Sequence, residues 1–211
     1  MTDGLHVPPA PAYRIVTPSL ELRAYDPSQA AALCQAIGES IEHLRPWMPW
    51  AESEPQPLDQ KVELLRKFRA HFDLGIEFGY AMFARGTEDL VGGTGLHPRA
   101  GPGALEIGYW VHVARIGRGL ATEAAAALTR AAIELHRVRR VEIRCDPANV
   151  RSASIPRKLG YRLEATLRAV TPSPRGLRDA MVWSMLDDEL AGSLASTIVL
   201  EAFDAIGRRL L

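Results

Sequence analysis

A glycine-rich turn at residues 116–122, with the sequence Ile-Gly-Arg-Gly-Leu-Ala-Thr, has the residue types best suited to binding a ligand through the main chain. Gly117 and Gly119 allow backbone conformations that a side chain would block. A helix is predicted from about Gly119, so its first N–H groups and its positive dipole end point into the turn. With Arg115 and Arg118 nearby, these features predict a cradle for a diphosphate.

Three interpretations of this turn compete. The first is a structural turn without a ligand. The second is a dinucleotide fingerprint, which needs glycine where Thr122 stands, or a P-loop, which needs a Gly-Lys-Ser/Thr sequence that does not follow. The third is a site for coenzyme A.

The elements that must position this turn follow from the hydrophobic spacing. Asp26 is predicted to cap a helix with Pro27 at its first position. Residues 104–113, the helix at 119–137 and residues 141–145 form a β-α-β unit, which predicts two parallel neighbouring strands. The fold class is therefore a mixed α/β sheet, mostly antiparallel, with helices on both faces. Strands are predicted at 19–23, 79–84, 90–96, 104–113, 141–145, 161–170 and 180–186, and helices at 27–42, 59–74, 119–137, 149–159 and 188–210.

The domain organisation is one folded unit with two short flanks. Residues 1–12 contain three prolines and are predicted to be a flexible leader. Residues 13–187 form the domain. Residues 188–211 are predicted as a C-terminal helix whose apolar face, Leu190, Leu194 and Ile198, packs on the domain or forms a homodimer contact.

Charge and cysteine content exclude several classes of protein. Lys plus Arg and Asp plus Glu are 25 each in 211 residues, so the net charge is zero and the chain lacks the basic excess of nucleic-acid or membrane-surface binders. Cys34 and Cys145 have no zinc-ligand spacing, which indicates a reducing compartment and no metal site. Without a recognisable signal peptide or long apolar segment, a cytoplasmic protein is expected.

Five segments, in this order and spacing, resemble the GNAT acyl-CoA-dependent N-acyltransferases, in their RimJ/RimL-like branch. The resemblance extends over roughly residues 14–187. It departs from the family's pattern at Ile116, where a polar residue or Trp is usual, and at Pro156, where a kink or a late helix start is expected. The matching segments are Thr17-Pro18-Ser19-Leu20-Glu21-Leu22-Arg23, Trp47-Met48-Pro49-Trp50, Glu106-Ile107-Gly108-Tyr109-Trp110, the GRGLATEA sequence at 117–124, and Asn149-Val150-Arg151-Ser152 followed by Lys158-Leu159-Gly160-Tyr161.

The resemblance implies a GNAT-like fold with a splayed parallel strand pair, and acetyl-CoA or coenzyme A as co-substrate without a metal. The pantetheine arm would lie between the splayed strands, against the backbone of Val111 and Val113 and near Asn149. The diphosphate would be held by the N–H groups of Gly117, Arg118, Gly119, Leu120, Ala121 and Thr122.

The resemblance also implies acyl transfer to a primary amine by direct attack, which requires a proton acceptor and a proton donor. Glu106 is the candidate acceptor, acting through water; the alternative is a solvated strand glutamate. Ser152 is the candidate donor to the departing thiolate; the alternative is hydrogen bonding at a helix start. Trp47 and Trp50 are expected to line the acceptor pocket rather than to fill the core.

Several functional alternatives stay open at this level. The amine belongs to a protein N-terminus or to a small molecule, and the acyl group is acetyl or a longer group such as succinyl. A different class of protein, an acyl-CoA-binding regulator without catalysis, would retain the same turn. His97 and His112 are of a residue type that can shuttle protons at neutral pH, but a lone histidine is more often structural, so neither is placed among the catalytic residues.

Overall fold

The computed structural model describes residues 11–173 and 176–211, and from residue 20 to residue 186 its helices and strands follow the predicted order. Nine strands and four α-helices, together with short 3₁₀ segments, are present in these two ranges. The strands are β1 (Arg14–Val16), β2 (Leu20–Ala24), β3 (Phe78–Ala84), β4 (Leu90–His97), β5 (Ala104–Val111), β6 (Arg140–Cys145), β7 (Arg162–Ser173), β8 (Gly176–Leu186) and β9 (Glu201–Phe203). The helices are α1 (Ala30–Leu44), α2 (Leu58–Asp73), α3 (Leu120–Arg130) and α4 (Val150–Leu159).

The strands form one sheet in the order β7-β8-β6-β5-β4-β3-β2-β1-β9. Strands β3, β4 and β5 form the predicted antiparallel meander. Strands β5 and β6 are parallel, as the β-α-β unit predicts, whereas the other neighbouring strands pair antiparallel. The predicted fold class is confirmed.

Helices cover both faces of this sheet because the central strands are apolar on both sides. Along β3, Tyr80 and Met82 belong to one buried cluster, whereas Ala81 and Phe83 belong to the other. The first cluster includes the buried alanines of α3, whose small side chains allow the helix to lie close to the sheet. The second cluster includes apolar residues of α1 and α2.

Three predicted boundaries need correction near the glycine-rich turn. Strand β5 ends at Val111, because Val113 lies in a 3₁₀ turn, Val113–Arg115. The long helix changes to a π-helical segment, Ala131–Leu135, after α3. Helix α4 begins at Val150 with Pro156 inside it, so of the two predicted alternatives, a kink or a late helix start, the late start is wrong.

The predicted C-terminal helix at 188–210 is wrong. The chain forms two 3₁₀ segments, Asp187–Gly192 and Leu194–Thr197, and then strand β9, which pairs with β1. The hydroxyl groups of Ser193, Ser196 and Thr197 donate to carbonyls three residues earlier, at 2.8 Å each, and so compete with helical bonding. Leu194 is 61% exposed, so the predicted apolar face is not formed.

At the other end of the chain, residues 1–10 of the predicted leader lie outside the described residues. Ala12 is buried, and its carbonyl accepts a hydrogen bond from the Tyr80 hydroxyl at 2.8 Å. Strand β1, which the sequence analysis did not predict, lies between β2 and β9. In the described ranges, no helix has the length and apolar character needed to cross a membrane.

His136, which ends the π-helical segment, makes stability depend on pH. Burial lowers its pKa to about 4, and its Nε2 atom has no hydrogen-bond partner among the described residues. The folded state therefore favours the neutral ring. The contribution of this ring to the free energy of unfolding is complete above the pKa of the unfolded state, about 6.5, and is lost as the pH falls towards 4.

The variant His136→Gln has no ring to protonate. Between pH 7 and 4.5, we expect its unfolding free energy to decrease by about 2–3 kcal/mol less than that of the wild type. Urea unfolding at both pH values measures the difference. His71→Gln is the matched control, since His71 is half-exposed. Equal pH slopes for His136→Gln and the wild type would contradict this account.

Candidate active site

A gap opens between the parallel strands β5 and β6. Their pairing extends from Ala104–Arg140 to Ile107–Ile143 and stops there. Beyond it, β5 continues along β4 as far as Gly92–Val111, and β6 continues along β8 as far as Cys145–Met181.

The backbone of β5 faces into this gap at two residues. The N–H of His112 donates to the carbonyl of Val91 at 2.8 Å. Because hydrogen-bonded pairs alternate along an antiparallel ladder, Val111 and Tyr109 direct their backbone groups away from β4 and towards the gap. Val113 offers no N–H there, because its N–H donates to Ser40 Oγ at 3.0 Å.

The glycine-rich turn lies at one end of the gap. Gly117 and Gly119 have φ values of +75° and +81°, in the left-handed region that favours glycine, and Gly119 is the N-cap residue of α3. A Cβ at either position would meet no atom within 4 Å, so backbone conformation rather than space requires glycine. Glu123 fixes the first turn of α3 by accepting from Thr17 Oγ1 at 2.5 Å and Ser19 N at 2.7 Å.

The first of two cavities, which we call the turn groove, has a volume of about 520 Å³ and runs from the glycine-rich turn along the gap. Most of the residues predicted to bind the cofactor line it, but Arg118 and Val113 do not. Those that line it are Val111, Gly117, Gly119, Leu120, Ala121, Thr122 and Asn149.

The second cavity, which we call the aromatic cavity, has a volume of about 770 Å³. Trp47, Trp50 and Trp110 line it, with the Trp50 and Trp110 rings 6.2 Å apart in an edge-on arrangement. The guanidinium of Arg178 lies 5.8 Å from the centre of the Trp47 ring. The structure therefore places both predicted tryptophans at a cavity wall.

The two cavities meet at Tyr109 and Ser152. Both residues line both cavities, as do Trp47, Trp110 and Asn149. The hydroxyls of Tyr109 and Ser152 are 3.0 Å apart, and Asn149 caps α4 by accepting from Ser152 N at 3.1 Å. Burial raises the pKa of Tyr109, so its hydroxyl keeps its proton.

Pro156 contributes to this junction. Its missing N–H would otherwise bond to the Ser152 carbonyl four residues earlier. The freed carbonyl instead lies 3.4 Å from the Tyr109 hydroxyl. The proline thus frees the Ser152 carbonyl to accept a hydrogen bond from the Tyr109 hydroxyl.

Glu106 lies on β5 in the wall of the aromatic cavity, and its side chain is 14% exposed. Its Oε1 is 3.2 Å from Arg99 Nη2, and its Oε2 is 3.7 Å from Arg144 Nε. Two cations from different elements therefore orient the carboxylate.

The other carboxylates of the aromatic cavity also have cationic neighbours. Glu54 is paired with the fully buried Lys61, and Glu77, which is hydrogen-bonded to His97, has Arg99 as its cationic neighbour. Asp146 Oδ2 is 2.9 Å from Arg178 Nη1, an ionic contact without directed hydrogen bonding. Within the described residues, no group of three or more His, Cys, Asp or Glu side chains is arranged to hold a metal ion.

The chain matches the model of a known protein family. Residues 19–162 match the model of the acetyltransferase (GNAT) domain. The chain belongs to the GNAT acetyltransferase family. The RimJ/RimL-like resemblance predicted from the sequence is confirmed by the relatives described next.

A Bacillus subtilis (strain 168) protein named as a ribosomal N-acetyltransferase, YdaF, is 27% identical over 180 residues, or 84% of this chain and 96% of that protein. Mycobacterium smegmatis RimJ, solved with a coenzyme A disulfide, has a TM-score of 0.76 at 24% identity and covers 88% of this chain and 91% of its own. A RimL ribosomal L7/L12 α-N-protein acetyltransferase, solved with coenzyme A, has a TM-score of 0.74 at 21% identity, covering 81% and 96%. The structural neighbours support the GNAT fold, and the family match identifies the chain as an N-acetyltransferase.

Some residues that line this GNAT site were not predicted from the sequence. Tyr109 was noticed only within the matching segment at 106–110, although the Tyr–Ser contact depends on where α4 lies over β5. Arg99, Arg144 and Glu77 were not assigned, and His97 was considered but not placed among the catalytic residues. The strand register, which places His97 directly opposite Glu106, is the signal that would have found this cluster.

Proposed function

We propose that the protein transfers an acetyl group from acetyl-CoA to a primary amine by direct attack. The meeting of the turn groove and the aromatic cavity at Tyr109 and Ser152 is the observation that carries this proposal. A thioester delivered through the gap reaches the same point as an amine that enters past the tryptophans. Structures of the neighbours RimL and RimJ were solved with coenzyme A or its disulfide, and that of MccE with acetyl-CoA and AMP.

In this proposal the turn groove binds coenzyme A mainly through the backbone. The free N–H groups of the glycine-rich turn and the first turn of α3 hold the diphosphate, where the helix dipole favours negative charge. The pantetheine arm bonds to the inward-facing backbone of Val111, and Asn149 lies beside it. Val113 does not donate its N–H to coenzyme A, because this N–H already donates to Ser40 Oγ.

The chemistry requires one proton acceptor and one donor. The amine enters as an ammonium ion, and Glu106 takes a proton from it through water. The neutral nitrogen attacks the thioester carbonyl, and the C–S bond of the tetrahedral intermediate breaks. Ser152 donates its proton to the departing thiolate and is reprotonated through Tyr109 from the second amine proton.

We propose a protein N-terminal α-amine as the acceptor and the cytoplasm as the location. The relatives named for ribosomal-protein acetylation support both. The test is thiol release from acetyl-CoA with a panel of N-terminal peptides and small amines, with mass spectrometry of the products. Release with small amines only would contradict the choice of acceptor. Coenzyme A binding without release for any amine or acyl chain would favour a non-catalytic regulator.

We expect Gly119→Ala to weaken coenzyme A binding about 5- to 30-fold, because an L-residue in the left-handed region costs about 1–2 kcal/mol and the turn would relax away from its binding shape. Isothermal titration calorimetry measures the affinity. Gly38→Ala is the matched control, since a Cβ at Gly38 in α1 also meets no atom within 4 Å and its φ is not positive. Equal affinities in both variants and the wild type would exclude backbone binding at this turn.

We expect Glu106→Gln to lower kcat on the order of 100-fold while leaving coenzyme A affinity nearly unchanged. The amide keeps the shape but is not a base. Glu142→Gln is a suitable control, because Glu142 pairs with the same Arg144 but does not line the aromatic cavity. An unchanged kcat in Glu106→Gln would remove Glu106 from the mechanism.

We expect Ser152→Ala to lower kcat about 10- to 100-fold, because the thiolate then leaves without a donor. The loss should shrink when the acetyl donor is a thioester of a more acidic thiol, whose anion needs no proton to leave. Ser154→Ala, on the same helix with its hydroxyl donated to the Arg151 carbonyl, is the comparison. A loss of the same size with both donors would show that Ser152 is only structural.

A further inference from the structure

His97, the last residue of β4, shares the wall of the aromatic cavity with Glu106. The two residues are direct partners across the β4–β5 ladder, so their side chains lie on the same face of the sheet. The His97 side chain is 21% exposed, which leaves it open to the cavity.

Glu77 determines which nitrogen of the ring carries a proton. Its Oε1 is hydrogen-bonded to His97 Nδ1, and its Oε2 lies 3.6 Å from Nδ1 of His71 on α2. The hydrogen bond from His97 lowers the pKa of Glu77 against the opposing effect of burial. An ionised Glu77 accepts a proton-bearing Nδ1, so the neutral ring has its free lone pair on Nε2.

Two glycines make room for that nitrogen. Gly95 and Gly108 are paired across the same two strands, and a Cβ on them would lie 3.1 and 3.0 Å from His97 Nε2. The ring therefore lies over this bare part of the sheet.

Within the described part of the chain, no hydrogen bond occupies His97 Nε2. His112 differs, because its Nε2 contacts Glu39 at 3.0 Å and its Nδ1 accepts from Ala114 N at 3.1 Å. Of these two histidines, His97 is the one with a nitrogen available for proton transfer.

We propose that His97 is a catalytic residue that receives the amine proton at Nε2, with Glu77 as the positioning residue that holds the ring. The inference rests on the proposed amine acetylation. Glu106, oriented by Arg99 and Arg144, accepts the amine proton through water, and the proton then passes through this water to His97. The imidazolium is stabilised by Glu77 and releases its proton to solvent, while the second amine proton goes to the thiol.

The charged and titratable groups that face His97 come from every neighbouring element. Glu77 precedes β3, His71 lies on α2, and Arg99 follows β4, whereas Glu106 and Arg144 lie on β5 and β6. The two arginines disfavour a positive charge on the His97 ring, whereas the two glutamates favour it.

The first test compares His97→Gln with His71→Gln in pH–rate profiles of acetyl transfer. We expect His97→Gln to lower kcat about 100-fold, to leave coenzyme A affinity unchanged, and to abolish the loss of rate that protonation of a histidine base causes between pH 8 and 5. His71→Gln removes the other partner of Glu77 and should keep the wild-type profile. Glu77→Gln should move the acidic limb to lower pH, because its amide no longer favours the imidazolium.

The second test uses His97→Ala, which leaves a space over Gly95 and Gly108, with imidazole added to the assay. We expect imidazole to restore at least 10-fold of the lost rate, with saturation, and not to change the rate of His71→Ala. This experiment tests the catalytic role of His97 even if His97→Gln is poorly folded.

The outcomes separate this inference from the proposed function. If the wild type acetylates amines and His97→Gln keeps its rate and acidic limb, or if His97→Ala is inactive without rescue, the role of His97 is overturned and amine acetylation stands. If the wild type releases no thiol with any amine, the proposed function fails and the role of His97 fails with it.

Discussion

The separation of β5 from β6 after Ile107–Ile143 is the constraint on which the rest of the site depends. Each strand follows its other, antiparallel neighbour, β4 or β8, and the unpaired backbone of β5 is left facing a gap. Unsatisfied N–H and C=O groups inside a protein are costly, so such a gap favours a ligand that brings its own amide groups. The amide-containing pantetheine arm has this chemistry.

The same separation explains why two cavities meet. Side chains of β5 alternate between faces, with Glu106 on the face of the aromatic cavity and Tyr109 towards α4. In a continuous sheet these two groups would be divided by the hydrogen-bonded layer. The gap removes that barrier over a few residues, and the proposed proton acceptor and donor therefore reach the same point from opposite faces.

Local patterns made much of this arrangement predictable from the sequence. The β-α-β unit predicted the parallel pair, and the two glycines before a helix predicted the turn, because both signals lie within short segments. The C-terminal strand β9 was not predictable in this way, since it forms by pairing with β1, about 190 residues earlier in the chain. The Glu77–His97–Glu106 cluster was missed for a similar reason: its members meet only through the register of two ladders.

The zero net charge of the chain is compatible with the binding of an anionic cofactor, because the cofactor and the amine bind in different parts of the proposed site. In the proposed cradle, attraction depends on N–H groups and a helix end, so Ile116, at a position where the family that the chain resembles usually has a polar residue or Trp, would remove one side-chain contact without disrupting the cradle. In the aromatic cavity, each of the four lining carboxylates has a Lys or Arg neighbour, so the cavity has little net field of its own. A cavity balanced in this way does not hold an ammonium ion by charge alone. Selection of the amine then depends on contact with the tryptophans and on a nearby lone pair that can take its proton.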